Sequence, residues 1–300
     1  MADRRLQVFH AVARHLSFTR AADALFMTQP AVTFQVRQLE EQYNTRLFER
    51  RHGGIALTPA GELALSYAER ILGLSDEMDA RLAELTGEMR GQLLLGASAP
   101  IAESLLPGIL AAFNASYPQV RVQLSVANSD AVATGVAGHG LDVGLSEAAS
   151  LLPGLSCDAC REDELVVICA PEYPLAGLKK VAPRALAEYE YVSREPGSGT
   201  RAVVDAYFAA HGVPVEKLKT QMELGSPEAL KAVVATGLGF AIVARATAGR
   251  EVEAGTLRAI PLNPPLRRSI YLVQPADRFR SRLVSTFAQF ARQQLKEMAA

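Results

Sequence analysis

The chain has 300 residues, 49% of them apolar, with 31 Lys and Arg against 32 Asp and Glu, a formal net charge of −1. That length suits two or three domains, and the apolar share is ample for packed cores. No apolar run approaches membrane-spanning length, and the amino terminus lacks the basic start, apolar core and small-residue cleavage site of a signal peptide, so a cytoplasmic protein without a membrane partner is expected.

The charge is unevenly placed. Residues 1–61 hold eight Lys/Arg and five Asp/Glu, hence +3, which leaves −4 on the rest. Within this basic stretch Ser17 caps a short helix that turns Ala21, Ala22 and Leu25 inward. The chain turns at Phe26-Met27-Thr28 into a second helix opened by Gln29 and Pro30, where a proline costs no intrahelical hydrogen bond. Val32, Val36 and Leu39 fall on one face of that helix, so its opposite face presents Gln29, Pro30, Thr33, Phe34 and Arg37. Such a set donates, accepts and makes apolar contact, as reading a major groove requires. Arg50-Arg51-His52-Gly53-Gly54 then predicts a tight hairpin with cations at its shoulder, suited to phosphate or minor-groove contact.

Thr58-Pro59 starts a helix with no breaker pair before Gly87 to Gly91. Leu63, Tyr67, Ile71, Leu74, Met78, Leu82, Leu85 and Met89 step by three and four, a narrow seam that calls for a partner helix more than for a core face. From residue 91 the period changes. Strand-length runs at Gln92 to Ala97, Val120 to Val126, Leu141 to Leu145, Leu165 to Ala170, Glu190 to Val192, Gln221 to Leu224 and Phe240 to Ala244 alternate with helical segments, which predicts parallel sheets covered by helices. A carboxy-terminal helix carrying Leu283, Phe287, Phe290 and Leu295 needs one of these sheets to bury against.

Sheets of this kind bind ligands beyond the carboxyl ends of their strands. Small polar groups lie there: Ser98-Ala99-Pro100, Asn128-Ser129, Ser146, the Arg194–Arg201 run with Gly197, Ser198, Gly199 and Thr200, and Ser226. Glycines, hydroxyls and free helix amides together favour an anion. The GSGTR stretch lacks the GxxxxGK[ST] pattern, so nucleotide hydrolysis has no support. Cys157 and Cys160 form a C-x-x-C, but no second pair exists and the five histidines are scattered, so the cysteines read as small hydrophobes rather than a zinc or redox site. If strand, the two would point to opposite faces. No metal, no cofactor and no catalytic constellation with a supporting motif is expected.

The AA-L-TQPAV-F-QV-QLE pattern of residues 21–40 and the LFER…LTPAGE close of residues 47–62 resemble the amino-terminal domain of LysR-type transcriptional regulators, and the resemblance continues over the chain. It implies a winged helix-turn-helix DNA-binding domain at 1–58, a linker and dimerisation helix at 59–90, and at 91–300 a two-lobed α/β effector domain like a periplasmic binding protein. Lobe I would be 91–163 plus 267–300 and lobe II 164–266. Expected DNA contacts are Ser17, Thr19, Thr28, Gln29, Pro30, Thr33, Phe34, Arg37, Arg50 and Arg51. Expected effector contacts are Ser98, Ala99, Pro100, Asn128, Ser129, Ser146, Gly197, Ser198, Gly199, Thr200, Arg201 and Ser226, around a small anionic molecule. Ile71, Leu74, Met78, Leu82 and Leu85 would pair subunits antiparallel in a homodimer or homotetramer, with RNA polymerase a further partner if the protein activates. REPGSGTR and ELGSPEALKAVVATGLGFAIV are similar to members that govern carbon dioxide fixation or sulfur assimilation. Many relatives carry Arg or another polar group where Phe34 stands, so contact with a thymine methyl replaces a hydrogen bond there. A solute-binding protein of the same two-lobed fold and an enzyme are the rival readings. The absent signal peptide and basic helix-turn-helix oppose the first, and the lack of a catalytic motif the second.

Overall fold

The structure is a computed structural model that describes residues 3–25, 27–51, 54–85, 89–138, 140–276 and 281–298, without the side chains of 76–77 and 79–85. It divides into two compact units, Met1–Glu88 and Met89–Ala300.

In the first unit α1 (Arg4–His15), α2 (Phe18–Leu25) and α3 (Gln29–Gln42) close around Val8, Val12, Ala21, Ala22, Val32 and Val36. The expected inward positions are therefore the buried ones, with Leu25 partly covered. A hairpin of β1 (Phe48–Arg51) and β2 (Gly54–Leu57) pairs Arg51 with Gly54, and its turn residues 52–53 lie outside the described residues. Then comes α4 (Pro59–Leu85), whose Ala68 joins Phe9, Ala13, Leu39 and Leu47 in a second cluster. Thr58 caps it: its Oγ1 accepts from the Gly61 amide at 3.0 Å and donates to the Arg46 carbonyl at 2.7 Å. Gly61 is needed because a Cβ there would overlap the Leu47 carbonyl oxygen. The helix ends before Met89, which packs on the core of the second unit. The seam expected to run to Met89 therefore stops short of it.

The second unit runs β3 (Gly91–Ser98), α5 (Ala99–Ser104), α6 (Leu106–Ser116), β4 (Val120–Ala127), α7 (Ser129–Ala137), β5 (Val143–Ser146) and β6 (Leu155–Cys169). It continues through α8 (Pro183–Leu186), β7 (Glu190–Arg194), α9 (Gly199–Ala210), β8 (Lys219–Leu224), α10 (Pro227–Ala235), β9 (Phe240–Ala244), α11 (Gly249–Glu253), β10 (Arg258–Pro275) and α12 (Arg282–Glu297). The strands form one ladder in the order β4-β3-β5-β10-β6-β9-β7-β8.

The ladder is mixed, which corrects the expectation of parallel sheets. β3 lies parallel to β4 and β5, and β7 parallel to β8 and β9, but β10 is antiparallel to β5 and β6, and β6 to β9. The chain crosses from lobe I to lobe II along β6 and returns along β10, so the two crossing strands must oppose each other. Neither was read correctly from the sequence. β6 begins at Leu155 rather than Leu165, and β10 was not among the expected strands, being interrupted by a bulge between Pro261 and Leu266. β5 starts at Val143 rather than Leu141, because the Leu141 side chain fills the space left by Gly96 and Gly135.

Each lobe has its own core. Leu93, Leu95, Phe113, Leu145, Phe287 and Leu295 anchor lobe I, with α12 laid on it as expected. In lobe II, Leu165 and Val167 face Phe208 and Phe240 on one side, while Val166 and Ile168 face Leu230 and Ala241 on the other. The apolar run of β6 is continuous here because both faces are covered. Cys157 stands opposite Val273, and Cys160 sits in the bulge where Ile270 and Tyr271 shift register. All three cysteines are free.

Candidate functional site

The outward face of α3 carries Gln29, Pro30, Phe34 and Arg37 exposed and Thr33 half-buried, while Val32, Val36 and Leu39 hold the opposite face down. Phe34 is 56% exposed, a large ring left in water on a helix whose apolar partners are buried. Thr28 caps α3 by accepting from the Ala31 amide at 3.4 Å, and Pro30 brings no N–H to the first turn. Gln29 and Thr33 hold each other: Nε2 of Gln29 donates to Thr33 Oγ1 at 3.0 Å. Ser17 caps α2 through the Arg20 amide, Thr19 is exposed, and Arg50 and Arg51 project from the hairpin, Arg51 with Glu49 at 2.7 Å.

Glu40 was missed as a structural determinant of this face. It is 8% exposed, and its Oε1 accepts from the Leu47 and Phe48 amides at 2.8 and 3.3 Å while Arg46 pairs with Oε2 at 3.1 Å. One carboxylate on α3 thereby fixes where the hairpin starts, and so where its arginines lie relative to the reading face. The signal was a charged residue in phase with Val32, Val36 and Leu39.

On α4 the residues Leu63, Tyr67, Ile71, Leu74 and Met78 are all exposed, Leu74 at 62%, although Ala64 and Ala68 of the same helix are packed. Among the described residues this apolar stripe has no covering element. The side chains of Leu82 and Leu85 lie outside the described residues.

In the second unit the lobes meet over a buried polar cluster. Asn128 caps α7 through the Ala131 amide and donates from Nδ2 to the Pro196 carbonyl at 3.2 Å; the Asp130 amide donates to the Gly197 carbonyl at 3.2 Å. Gly197 has φ of +83°, which favours glycine, and a Cβ on Gly199 would stand 2.6 Å from Ser129 Oγ. Beneath these, Glu147 accepts from Ser129 Oγ at 3.4 Å, Thr200 Oγ1 at 3.5 Å and Arg268 Nη1 at 3.2 Å. Arg268 also donates to Thr200 Oγ1 at 2.7 Å and to Asp163 Oδ2 at 3.1 Å. Against Glu147 and Arg268 lies a cavity of about 320 Å³ with Ala148, Val203, Arg267 and Tyr271 on its walls.

The fold thus brings Asn128, Ser129, Gly197, Gly199 and Thr200 together. Ser98, at the end of β3, is buried and its Oγ has no partner among the described residues, with Pro100 buried behind it and Ala99 half-buried. Ser146 donates to the Ala148 carbonyl, and Ser198 caps α9. Arg201 is taken up by Glu223 and Asp205, at 2.6 and 3.5 Å, and by the Arg194 carbonyl. Ser226 is exposed and caps α10. Glu147, Asp163 and Arg268 were not foreseen. Arg268 shares the buried alternation of Leu266, Ile270 and Leu272, and a cation in phase with core residues was the readable sign.

Among the described residues no helix is long and apolar enough to cross a membrane, and no group of His, Cys, Asp or Glu could hold a metal ion. A helix-turn-helix with an exposed polar face and a basic hairpin, joined to a two-lobed α/β unit with a polar cleft, defines a ligand-responsive DNA-binding regulator. Residues 4–62 match the bacterial regulatory helix-turn-helix protein, lysR family, and residues 86–296 match the LysR substrate binding domain. The chain belongs to the LysR family of transcriptional regulators, with a DNA-binding and an effector-binding domain and no catalytic one. It is 36% identical over 289 residues, 95% of each chain, to the "Probable RuBisCO transcriptional regulator" of Cyanidioschyzon merolae. The regulatory domain of Synechocystis PCC6803 CcmR in complex with 2-PG matches at 27% identity and a TM-score of 0.65, covering 70% of this chain and 100% of that one. Full-length CbnR complexed with its target DNA shares the fold at 23% identity and a TM-score of 0.65, covering 98% and 100%.

Proposed function

We propose that this regulator is a cytoplasmic homodimer or homotetramer that controls genes of carbon dioxide fixation in response to a small anionic metabolite held between its lobes. Its working parts are the DNA-binding domain 1–58, the pairing helix 59–90 and the effector domain 91–300, with lobe I at 91–163 and 267–300 and lobe II at 164–266. The RuBisCO regulator among its relatives supports the gene class, and the CcmR complex with 2-PG supports a small acid as effector. Where it activates, RNA polymerase is the further partner.

The observation that carries the effector reading is Thr200 at the opening of α9, its hydroxyl buried against groups from the other lobe. A molecule seated there touches both lobes and so discriminates between their arrangements, which is what coupling requires. Mass spectrometry of metabolites retained by the purified protein identifies the acid, and titration calorimetry with it tests the site. Thr200→Val is expected to weaken binding by about 1.5–3 kcal/mol, the value of a hydrogen bond to a charged group, with ligand-free DNA binding unchanged. Normal affinity in Thr200→Val combined with Ser98→Ala places the effector elsewhere.

A further inference from the structure

We propose that Glu147 is an internal stand-in for the effector's acid group: its carboxylate ties the lobes together from inside the cleft, and a small acid acts by taking its place on Arg268. The proposal rests on the cleft being the effector site.

Glu147 follows β5 in lobe I and is 2% exposed in its side chain, as is Arg268. Its two oxygens are met by Ser129 of lobe I, Thr200 of lobe II and the Arg268 guanidinium. Two hydroxyls and a guanidinium beside a helix opening are the donors a foreign carboxylate or phosphate would seek, and here the chain supplies the anion itself.

Charge decides between addition and exchange. Arg268 already faces Glu147 and Asp163, so the buried cluster holds two carboxylates on one cation. A further anion on Arg268 would put three negative groups around one buried guanidinium, where their repulsion is poorly screened, while Arg267, the other cation on the cavity wall, is exposed and paired with Glu162 at 3.4 Å. One carboxylate must therefore yield. Asp163 is directly opposite Arg268 in the β6–β10 ladder and is held there by backbone pairing. Glu147 instead stands at a strand end and borders the 320 Å³ cavity, which gives it room to swing and the acid a way in. Arg268 Nε is buried and has no partner among the described residues, a donor that a two-oxygen acid arriving from the cavity could use. Once Glu147 leaves, its link to Thr200 across the lobes is broken, and effector binding becomes a change in lobe arrangement.

Glu147→Gln keeps the shape and removes the charge. Full-length wild type, Glu147→Gln, Arg268→Gln and the double variant, each checked for native circular dichroism, are titrated with inorganic phosphate and with succinate by calorimetry. Glu147→Gln is expected to bind one or both probes roughly tenfold tighter or more than wild type, and the gain to vanish in the double variant. Equal or weaker binding by Glu147→Gln, undetectable binding in both, or a gain that survives Arg268→Gln overturns the proposal. Should Glu147→Gln fail to fold, Glu147→Asp, which retracts the charge by one methylene, is expected to tighten probe binding as well, and unchanged affinity there has the same meaning. If Thr200→Val weakens the retained metabolite while Glu147→Gln changes nothing, the cleft stands and the stand-in falls. If Thr200→Val leaves that metabolite bound as before, the cleft reading itself has failed.

Discussion

Phe34 stands in water on the outward face of α3, which we propose reads DNA, where a ring offers a base only apolar contact. Phe34→Ala is therefore expected to relax base preference with little effect on random duplex. Arg50→Ala is expected to weaken all DNA alike and lower the salt slope by about 1, the share of one phosphate contact. Anisotropy titrations on operator and random duplex over a salt series separate the two, and equal losses for Phe34→Ala on both duplexes would remove its reading role. Glu40 acts on the same face from behind. Glu40→Ala leaves the buried Leu47 amide, the half-buried Phe48 amide and Arg46 without their acceptor, at an expected cost of about 1.5–3 kcal/mol by denaturant unfolding. His10 adds a pH dependence: burial, with Arg14 nearby, holds it below the ordinary 6.5 although Glu69 lies 3.9 Å away. The unfolded chain then takes up the proton first, so this contribution is complete above pH 6.5 and is lost as pH falls toward the depressed value. Melting curves across that window are expected to show the loss in wild type and not in His10→Gln.

At the scale of elements, α4 and α12 make opposite uses of the same periodicity. The apolar stripe of α12 is covered, with Phe287 fully buried and edge-on to Phe113 at 5.0 Å. That of α4 is bare from Leu63 to Met78. A bare stripe of three- and four-residue steps fits a second helix, and in the proposed assembly that helix belongs to another subunit. Leu74→Glu puts a charge into that contact and is expected to shift sedimentation toward monomer and to weaken operator binding with it, since two half-sites need two reading heads. An unchanged mass would show that the stripe does not pair subunits. Phe287→Ala is expected to cost about 3–5 kcal/mol through the cavity it leaves. Hydrogen exchange in the full chain would place the loss in residues 89–300 and leave the helices of the first unit protected as before.

Over the whole molecule, what could be read in advance was what rests on neighbours in sequence. The caps Ser17 and Thr58, the inward triad Val32, Val36 and Leu39, the apolar stripe of α4 from Leu63 to Met78 and most strands of the two lobes all depend on contacts within a few residues, where spacing alone specifies the face. Placing Asn128 and Ser129 beside Gly197–Thr200 was half legible, because strand ends of two α/β units gather at a crevice whatever the detail. The mixed ladder and the cluster of Glu147, Asp163, Thr200 and Arg268 were not. They join residues as far apart in sequence as Gly144 and Val273, through a double crossing between lobes that no local pattern encodes. Arg268 falls in phase with Leu266, Ile270 and Leu272, but only the pairing of β10 with β6 sets it against Asp163 and makes Glu147 the carboxylate that spans the cleft. Sequence alone determined most of the elements, which follow from short-range periodicity and capping, and the family, through the resemblance of its motifs. The charge inside the cleft was decided by tertiary structure, because it depends on which distant groups share one dry space.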